Sequence, residues 1–160
     1  MVKTLFVCMG NICRSPMAQG IMEHRVRERG WSEWLVVDSA GTHDFHVGKP
    51  PDPRAVAALL GRGVAIGAQR ARRVVPGDFE IFDYVLAMDR ANYEILQAAC
   101  PPAVVHKVHL LLDFAAGIGE KEIPDPYYGG ALGFERVLDL VELGVEGLLA
   151  DIERRLAGGG

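Results

Sequence analysis

The sequence predicts an α/β fold, a doubly wound four-stranded parallel sheet with helices on both faces. Three observations point there. Four short apolar runs, Leu5-Phe6-Val7, Trp34 to Val37, Tyr84 to Met88 and Val105 to Leu111, suit strands buried on both faces. Segments with helical spacing alternate with them, which favours right-handed crossovers and therefore a parallel sheet. The first run empties into Cys8-Met9-Gly10-Asn11-Ile12-Cys13-Arg14-Ser15-Pro16, a loop suited to cradling a tetrahedral anion, at the carboxyl end of a strand, where such sheets bind ligands. With 160 residues the chain is long enough for one domain with a genuine core, assigned to 1–157, with 158–160 as a flexible C-terminal tail.

Taken in order, Leu5-Phe6-Val7 delivers Cys8 at its end. Pro16 suits a first helical position, and Met17, Ala18, Ile21, Met22 and Val26 recur at helical spacing until Gly30. The strand from Trp34 to Val37 gives way at Asp38-Ser39-Ala40-Gly41-Thr42 to a loop that runs through Phe45 to Pro51. Asp52 as cap and Pro53 as first residue open a helix to Leu60, with Val56, Leu59 and Leu60 on one face. The basic cluster Gln69 to Arg73 reads as solvated surface. After the third strand, Ala91 to Ala99 forms a helix with Tyr93, Ile95 and Leu96 inward, stopped by Pro101-Pro102. The fourth strand spans Val105 to Leu111, and a turn-rich loop then carries Pro124-Asp125-Pro126-Tyr127-Tyr128-Gly129-Gly130. The last helix is the clearest: Phe134, Val137, Leu138, Val141, Val145, Leu148, Leu149, Ile152 and Leu156 keep to steps of three and four, slightly weakened by Gly144 and Gly147.

Composition narrows the function. Apolar residues make up 49% and the net charge is −4, so there is none of the basic excess of a nucleic-acid binder. No run is long enough to span a bilayer and no signal peptide opens the chain, which implies a cytoplasmic protein without a membrane partner. Three cysteines are too few for a disulfide framework, and Cys100 reads as an inert, partly buried thiol. The five histidines are scattered and read as surface or core. Cys8 and Cys13 find no second ligand pair at zinc spacing, so neither a metal nor a cofactor is expected.

The chemistry lies in the cradle. A thiolate, not a thiol, is the nucleophile, and the loop N–H groups, the start of the following helix and Arg14 can all stabilise one at Cys8. The same groups bind phosphate, with Arg14 offering a planar fork to two oxygens. A site that stabilises both is equipped for attack on phosphorus. Gly10 and Asn11 supply the positive φ that a loop with inward N–H groups needs, and the Asn11 side chain should pin the loop to its neighbours. The leaving oxygen needs an acid, for which Asp125, stiffened between two prolines and followed by aromatic Tyr127 and Tyr128, is the candidate.

From about Lys3 to Leu156 the chain resembles the low-molecular-weight protein tyrosine phosphatases. The resemblance rests on the Cys8-to-Ser15 cradle, Asp38-Ser39-Ala40-Gly41-Thr42, Pro51-Asp52-Pro53-Arg54, Asp78-Phe79 with Phe82-Asp83-Tyr84, Met88-Asp89 and Asp125-Pro126-Tyr127-Tyr128-Gly129. It implies a phosphotyrosine protein or small aryl phosphate as substrate, and inorganic phosphate as product and inhibitor. Cys8 would form a phosphocysteine, Arg14 clamp the phosphate, and Asp125 act as acid and then as base. Ser15 would hydrogen-bond the sulfur, and Asn11 would hold the loop through Ser15 and Ser39. Gly10 would belong to the phosphate cradle, Phe45 and Tyr127 would flank the substrate ring, and Met9 and Ile12 would add apolar wall. Cys13 would be a second thiol able to form a reversible disulfide with Cys8. Tyr127 and Tyr128 raise the question of regulation by phosphorylation. Gln69 stands where vertebrate members carry a loop-supporting histidine, so support through it would not titrate.

Three alternatives share parts of this pattern. Thioredoxin-coupled arsenate reductases need two further cysteines after the third strand, where this chain has only Cys100. Protein arginine phosphatases typically carry threonine where this chain has Ile12. A non-catalytic phosphate-binding module would have no use for the acid at Asp125.

Overall fold

The computed structural model describes residues 1–127 and 130–158; the readings placed on Tyr128, Gly129 and the Gly159-Gly160 tail lie outside the described residues. The chain runs β1 (Val2–Cys8), α1 (Arg14–Glu28), β2 (Leu35–Gly41), α2 (Pro53–Leu60), α3 (Asp78–Ile81), β3 (Tyr84–Ala87), α4 (Arg90–Ala99), β4 (Val108–Leu110) and α5 (Gly130–Ala157), with 3₁₀ turns over Pro102–Lys107 and Leu111–Phe114. All strand pairs are parallel, in the order β2-β1-β3-β4. From β1 the chain builds first to one side and then, at β3, to the other. The strand order therefore reverses beside β1, and the crevice at its carboxyl end is the expected ligand position in such a sheet.

β1 is apolar from Leu5 to Cys8 because its alternate side chains there enter two different cores. Phe6 and Cys8 join Met17, Ile21, Leu59, Leu86, Val141 and Leu148, where α1, α2 and α5 cover one face. Leu5 and Val7 join Phe79, Val85, Leu96 and Val108 beneath α3 and α4 on the other. Two glycines let α5 approach the second 3₁₀ turn. A Cβ at Gly147 would stand 1.8 Å from the Phe114 carbonyl oxygen, and one at Gly144 would stand 2.6 Å from Leu111 Cγ. These positions are a packing requirement rather than a simple weakness of the helix. Among the described residues no helix is long and apolar enough to cross a membrane.

Several sequence-based boundaries shift, each for a physical reason. The second strand does not end at Val37: Asp38 to Gly41 pair with Leu5 to Cys8, and tertiary pairing overrides their turn preference. The fourth strand shrinks to Val108–Leu110 because Pro101-Pro102 start a 3₁₀ turn, with the Val104 N–H donating to the Pro101 carbonyl at 3.0 Å. α1 begins at Arg14 with Cys13 as cap, so Pro16 is its third residue, still within the first turn, where a missing N–H costs nothing. Ile95 and Leu60 are exposed, and the buried positions are Asn92 and Leu96 on α4 and Ala55 and Leu59 on α2. Leu156, at the fraying end of α5, is exposed too. α3 has only four residues, too few to show a period.

Candidate active site

The cradle is shaped by its surroundings. The carbonyls of Cys8, Met9 and Ile12 accept N–H groups from Thr42 (2.9 Å), His43 (3.0 Å) and Asp52 (2.8 Å), which turns them away from the loop interior. Among the described residues no acceptor takes the N–H groups of Gly10 to Ser15, as an anion cradle requires. The start of α1 adds its positive end. Asn11, with φ 57°, is the only non-glycine residue in the left-handed region among those described. Gly10 does not share that conformation; its lack of a Cβ makes room for His46, whose Cδ2 would lie 2.8 Å away.

A hydrogen-bond network surrounds the sulfur. Asn11 Nδ2 donates to Ser15 Oγ at 2.8 Å and to Ser39 Oγ at 3.0 Å, while Asn11 Oδ1 accepts the Arg72 N–H at 3.0 Å. Ser39 passes its own proton to Gln19 Oε1 at 2.6 Å. Ser15 Oγ accepts from Asn11, and its proton has two acceptors in reach, the Ala40 carbonyl at 3.5 Å and Cys8 Sγ at 3.0 Å; a Cys8 thiolate, which can only accept, draws it to sulfur. Gln69 stands apart from this network: its Nε2 donates to the Pro16 carbonyl at 3.2 Å, and its buried Oε1 has no partner among the described residues. It thus braces the first turn of α1 rather than the loop itself.

Arg14 is 3% exposed. Its NH1 donates to Asp89 Oδ2 at 2.7 Å and to the Ile123 carbonyl at 2.9 Å, and its NH2 lies 3.7 Å from Asp125 Oδ2. Burial works against its charge, but Cys8, Asp89 and Asp125 outweigh burial and hold the guanidinium above its ordinary range. Asp89 is itself fixed, its Oδ1 capping α4 through the Asn92 N–H at 2.8 Å. The acid loop is tied in by the Ile123 N–H to the Met88 carbonyl, 2.8 Å, and Asp125 Oδ1 accepts the Tyr127 N–H at 3.0 Å.

These groups share a cleft of about 360 Å³, with Cys8, Cys13, Arg14 and Asp125 joined by walls of Met9, Ile12, Phe45 and Tyr127. Its apolar rim beside a cationic floor suits an aryl phosphate. Arg54 steadies one wall: it grips Asp52 through Nε (3.0 Å) and NH2 (2.9 Å) while its guanidinium lies 5.3 Å from the Tyr127 ring centroid and 4.9 Å from that of Phe134. Phe45 is backed by the stacked ring of His43, 5.0 Å away. Burial and the neighbouring charge of Asp52 push the Cys13 thiol up to about 12.

The structure brings together the cradle residues, Asp125, Phe45, Tyr127 and Ser39, as sought from sequence. Three features escaped that reading. His46, taken for surface or core, lines the cleft 6.5 Å from the Tyr127 ring. Asp89 holds Arg14, and its position just past β3 is the same carboxyl-end signal that marks Cys8 past β1. Arg72, assigned to solvated surface, is instead half-buried between Asp38 and Asp78.

Residues 3–157 match the family model for low molecular weight phosphotyrosine protein phosphatase. A Synechocystis protein whose name, slr0328, is given with the low molecular weight protein-tyrosine-phosphatases is 45% identical over 97% of this chain and 99% of its own. The crystal structure of YfkJ from Bacillus subtilis superposes with a TM-score of 0.92 at 37% identity, covering 97% of this chain and 96% of the other. A protein tyrosine phosphatase from Entamoeba histolytica, crystallised with Hepes in its active site, gives 0.93 at 41% identity over 96% and 98%.

Proposed function

This chain belongs to the low molecular weight phosphotyrosine protein phosphatase family, and from that premise we propose a role for each group in the cleft. The protein is a protein tyrosine phosphatase. Its substrate is a phosphotyrosine protein or small aryl phosphate, and inorganic phosphate is both product and inhibitor. In the first step Cys8 Sγ attacks phosphorus, the bond from phosphorus to the aryl oxygen breaks, and Asp125 gives that oxygen its proton. In the second step the Asp125 carboxylate takes a proton from water, the water oxygen attacks phosphorus, and the S–P bond breaks to return the thiolate. Arg14 and the N–H groups from Gly10 to Ser15 hold the equatorial oxygens throughout. Ser15, its proton directed by Asn11, steadies the departing sulfur. Phe45, Met9, Ile12 and Tyr127 hold the ring, and we assign Cys13 as redox partner of Cys8 and the cytoplasm as the working compartment.

The observation that carries this reading is convergence: nucleophile, clamp and acid reach one cleft from β1, α1 and the loop before α5. Hydrolysis of p-nitrophenyl phosphate without added metal, lost in Cys8→Ser, is the expected result; turnover that survives Cys8→Ser overturns the mechanism. Asp125→Asn should lower kcat by about 10²–10⁴-fold for poor leaving groups, and an unchanged rate removes Asp125 from the acid role. Phosphotyrosine should be preferred over phosphoarginine and arsenate in the same assay.

A further inference from the structure

The loop-bearing residue Asn11 is held in an unfavourable conformation for a side-chain-bearing residue, and something must over-determine it. The residues that do so form a closed ring. Asn11 Nδ2 donates to Ser39 Oγ, and the Ser39 N–H donates to Asp38 Oδ1 at 2.8 Å. Asp38 Oδ2 then accepts from Arg72 through Nε (3.2 Å) and NH2 (3.0 Å), and the Arg72 N–H closes the ring on Asn11 Oδ1. The other edge of the same guanidinium bonds Asp78, NH1 to Oδ2 at 3.0 Å and NH2 to Oδ1 at 3.2 Å, and Asp78 is itself buried. The Arg72 carbonyl accepts the Gly41 N–H at 2.8 Å, so the backbone that faces Asn11 is also stitched to the end of β2.

We propose that Arg72 is a positioning residue for phosphoryl transfer: its two carboxylate grips fix the backbone N–H that orients the Asn11 amide, and Asn11 in turn aims the Ser15 hydroxyl at Cys8 Sγ. The inference rests on the phosphatase reading of this site. Its physical content is amide orientation. Asn11 makes three hydrogen bonds, and the one into Oδ1 is what distinguishes its oxygen from its nitrogen. Without it the amide can turn over, so that an oxygen rather than an N–H faces Ser15, and the serine proton is drawn toward Asn11 and away from sulfur. Every member of the ring other than Asp38 and Arg72 is neutral, and Gln69 braces a different element, so these two charged groups are its anchors.

The test is a double-mutant cycle on p-nitrophenyl phosphate turnover. Arg72→Met, which keeps length and loses both grips, should lower kcat by about tenfold or more with a smaller change in KM, since a displacement of the reacting groups weighs on the transition state. Arg72→Lys, able to reach one carboxylate, should recover part of that loss. In an Asn11→Ala background Arg72→Met should cost nothing further, because its effect passes through Asn11. If Arg72→Met does not fold, Asp38→Asn, which loosens the same guanidinium from β2, takes its place in the cycle. A kcat within twofold of wild type with only the melting temperature lowered overturns the proposal, as does a loss that multiplies undiminished on Asn11→Ala. Wild-type protein that fails to turn over the ester, or turnover insensitive to Cys8→Ser, refutes the phosphatase reading instead.

Discussion

Replacing Arg14 by lysine keeps the charge and removes the geometry, which makes it the sharpest probe of the clamp. NH1 of Arg14 is already occupied by Asp89 Oδ2 at 2.7 Å and the Ile123 carbonyl at 2.9 Å. That leaves the Nε–NH2 edge for two oxygens of a bound phosphate, in the bidentate form that a guanidinium alone provides. A lysine has one nitrogen. Placed where NH1 sits, it satisfies Asp89 and releases the phosphate; placed in the cleft, it leaves Asp89 and the Ile123 carbonyl without their partner in a site where Arg14 is 3% exposed. Either way about two charge-assisted hydrogen bonds are lost, at roughly 1.5–3 kcal/mol each. The total of about 3–6 kcal/mol corresponds to a fall in kcat of roughly 10²–10⁴ if the contacts tighten in the transition state. Steady-state kinetics on p-nitrophenyl phosphate, with a thermal melt beside it, measures both. The melting temperature should move little if the lysine takes the place of NH1 and fall by several degrees if it leaves Asp89 and the Ile123 carbonyl unpaired, while kcat collapses in both cases. A kcat within tenfold of wild type refutes the argument that the fork, and not the charge alone, does the clamping.

Two further outcomes follow from packing and burial. Burial and the charge of Asp52 push the Cys13 thiol up to about 12, far above the ordinary cysteine range, which leaves it a poor nucleophile at pH 7. One equivalent of iodoacetamide at pH 7 should therefore label Cys8 and spare Cys13 in a peptide map; equal labelling contradicts the buried-thiol picture. Gly147→Ala should lower the melting temperature by several degrees, since overpacking against the Phe114 carbonyl outweighs the gain of about 1 kcal/mol in helix propensity. A melt unchanged or raised would mean that α5 can move away from the 3₁₀ turn freely.

Legibility tracked the distance in sequence over which each residue acts. Cys8, Arg14 and Ser15 lie within one loop and read directly, as did α2, where Asp52 caps the Arg54 N–H at 2.8 Å and the helix runs from Pro53 to Leu60 as its signals predict. Asp38 to Gly41 was misread as loop because nothing local reveals that it pairs with Leu5 to Cys8. Arg72 was misread for the same reason: a cluster of arginines looks solvated until its carboxylates, 34 residues before and 6 after, are folded against it. Helix propensity is all that sequence shows at Gly144 and Gly147, while their real constraint comes from the 3₁₀ turn, the Leu111 side chain 2.6 Å from a Cβ at the first and the Phe114 carbonyl oxygen 1.8 Å from one at the second.

Asp89 and Asp125 show how far this logic carries into mechanism. Both face Arg14, at 2.7 and 3.7 Å, and sequence reasoning singled out only the second for chemistry. The asymmetry matches two incompatible duties. A carboxylate that holds the clamp in place must keep its contacts, and Asp89 has no oxygen to spare: one is on Arg14, the other on the α4 N-terminus, and its side chain is 20% exposed. A carboxylate that must give a proton to the leaving oxygen and take one from water needs looser contact and access to solvent, and Asp125 has both, with its side chain 38% exposed and one oxygen engaged by the Tyr127 N–H. Were the two distances exchanged, Asp125 would be held against the guanidinium and its oxygens turned from the cleft where the leaving group sits. The extra ångström between Arg14 and Asp125 thus fits the proposed division of labour, one carboxylate locked on the clamp and one left free to meet the substrate.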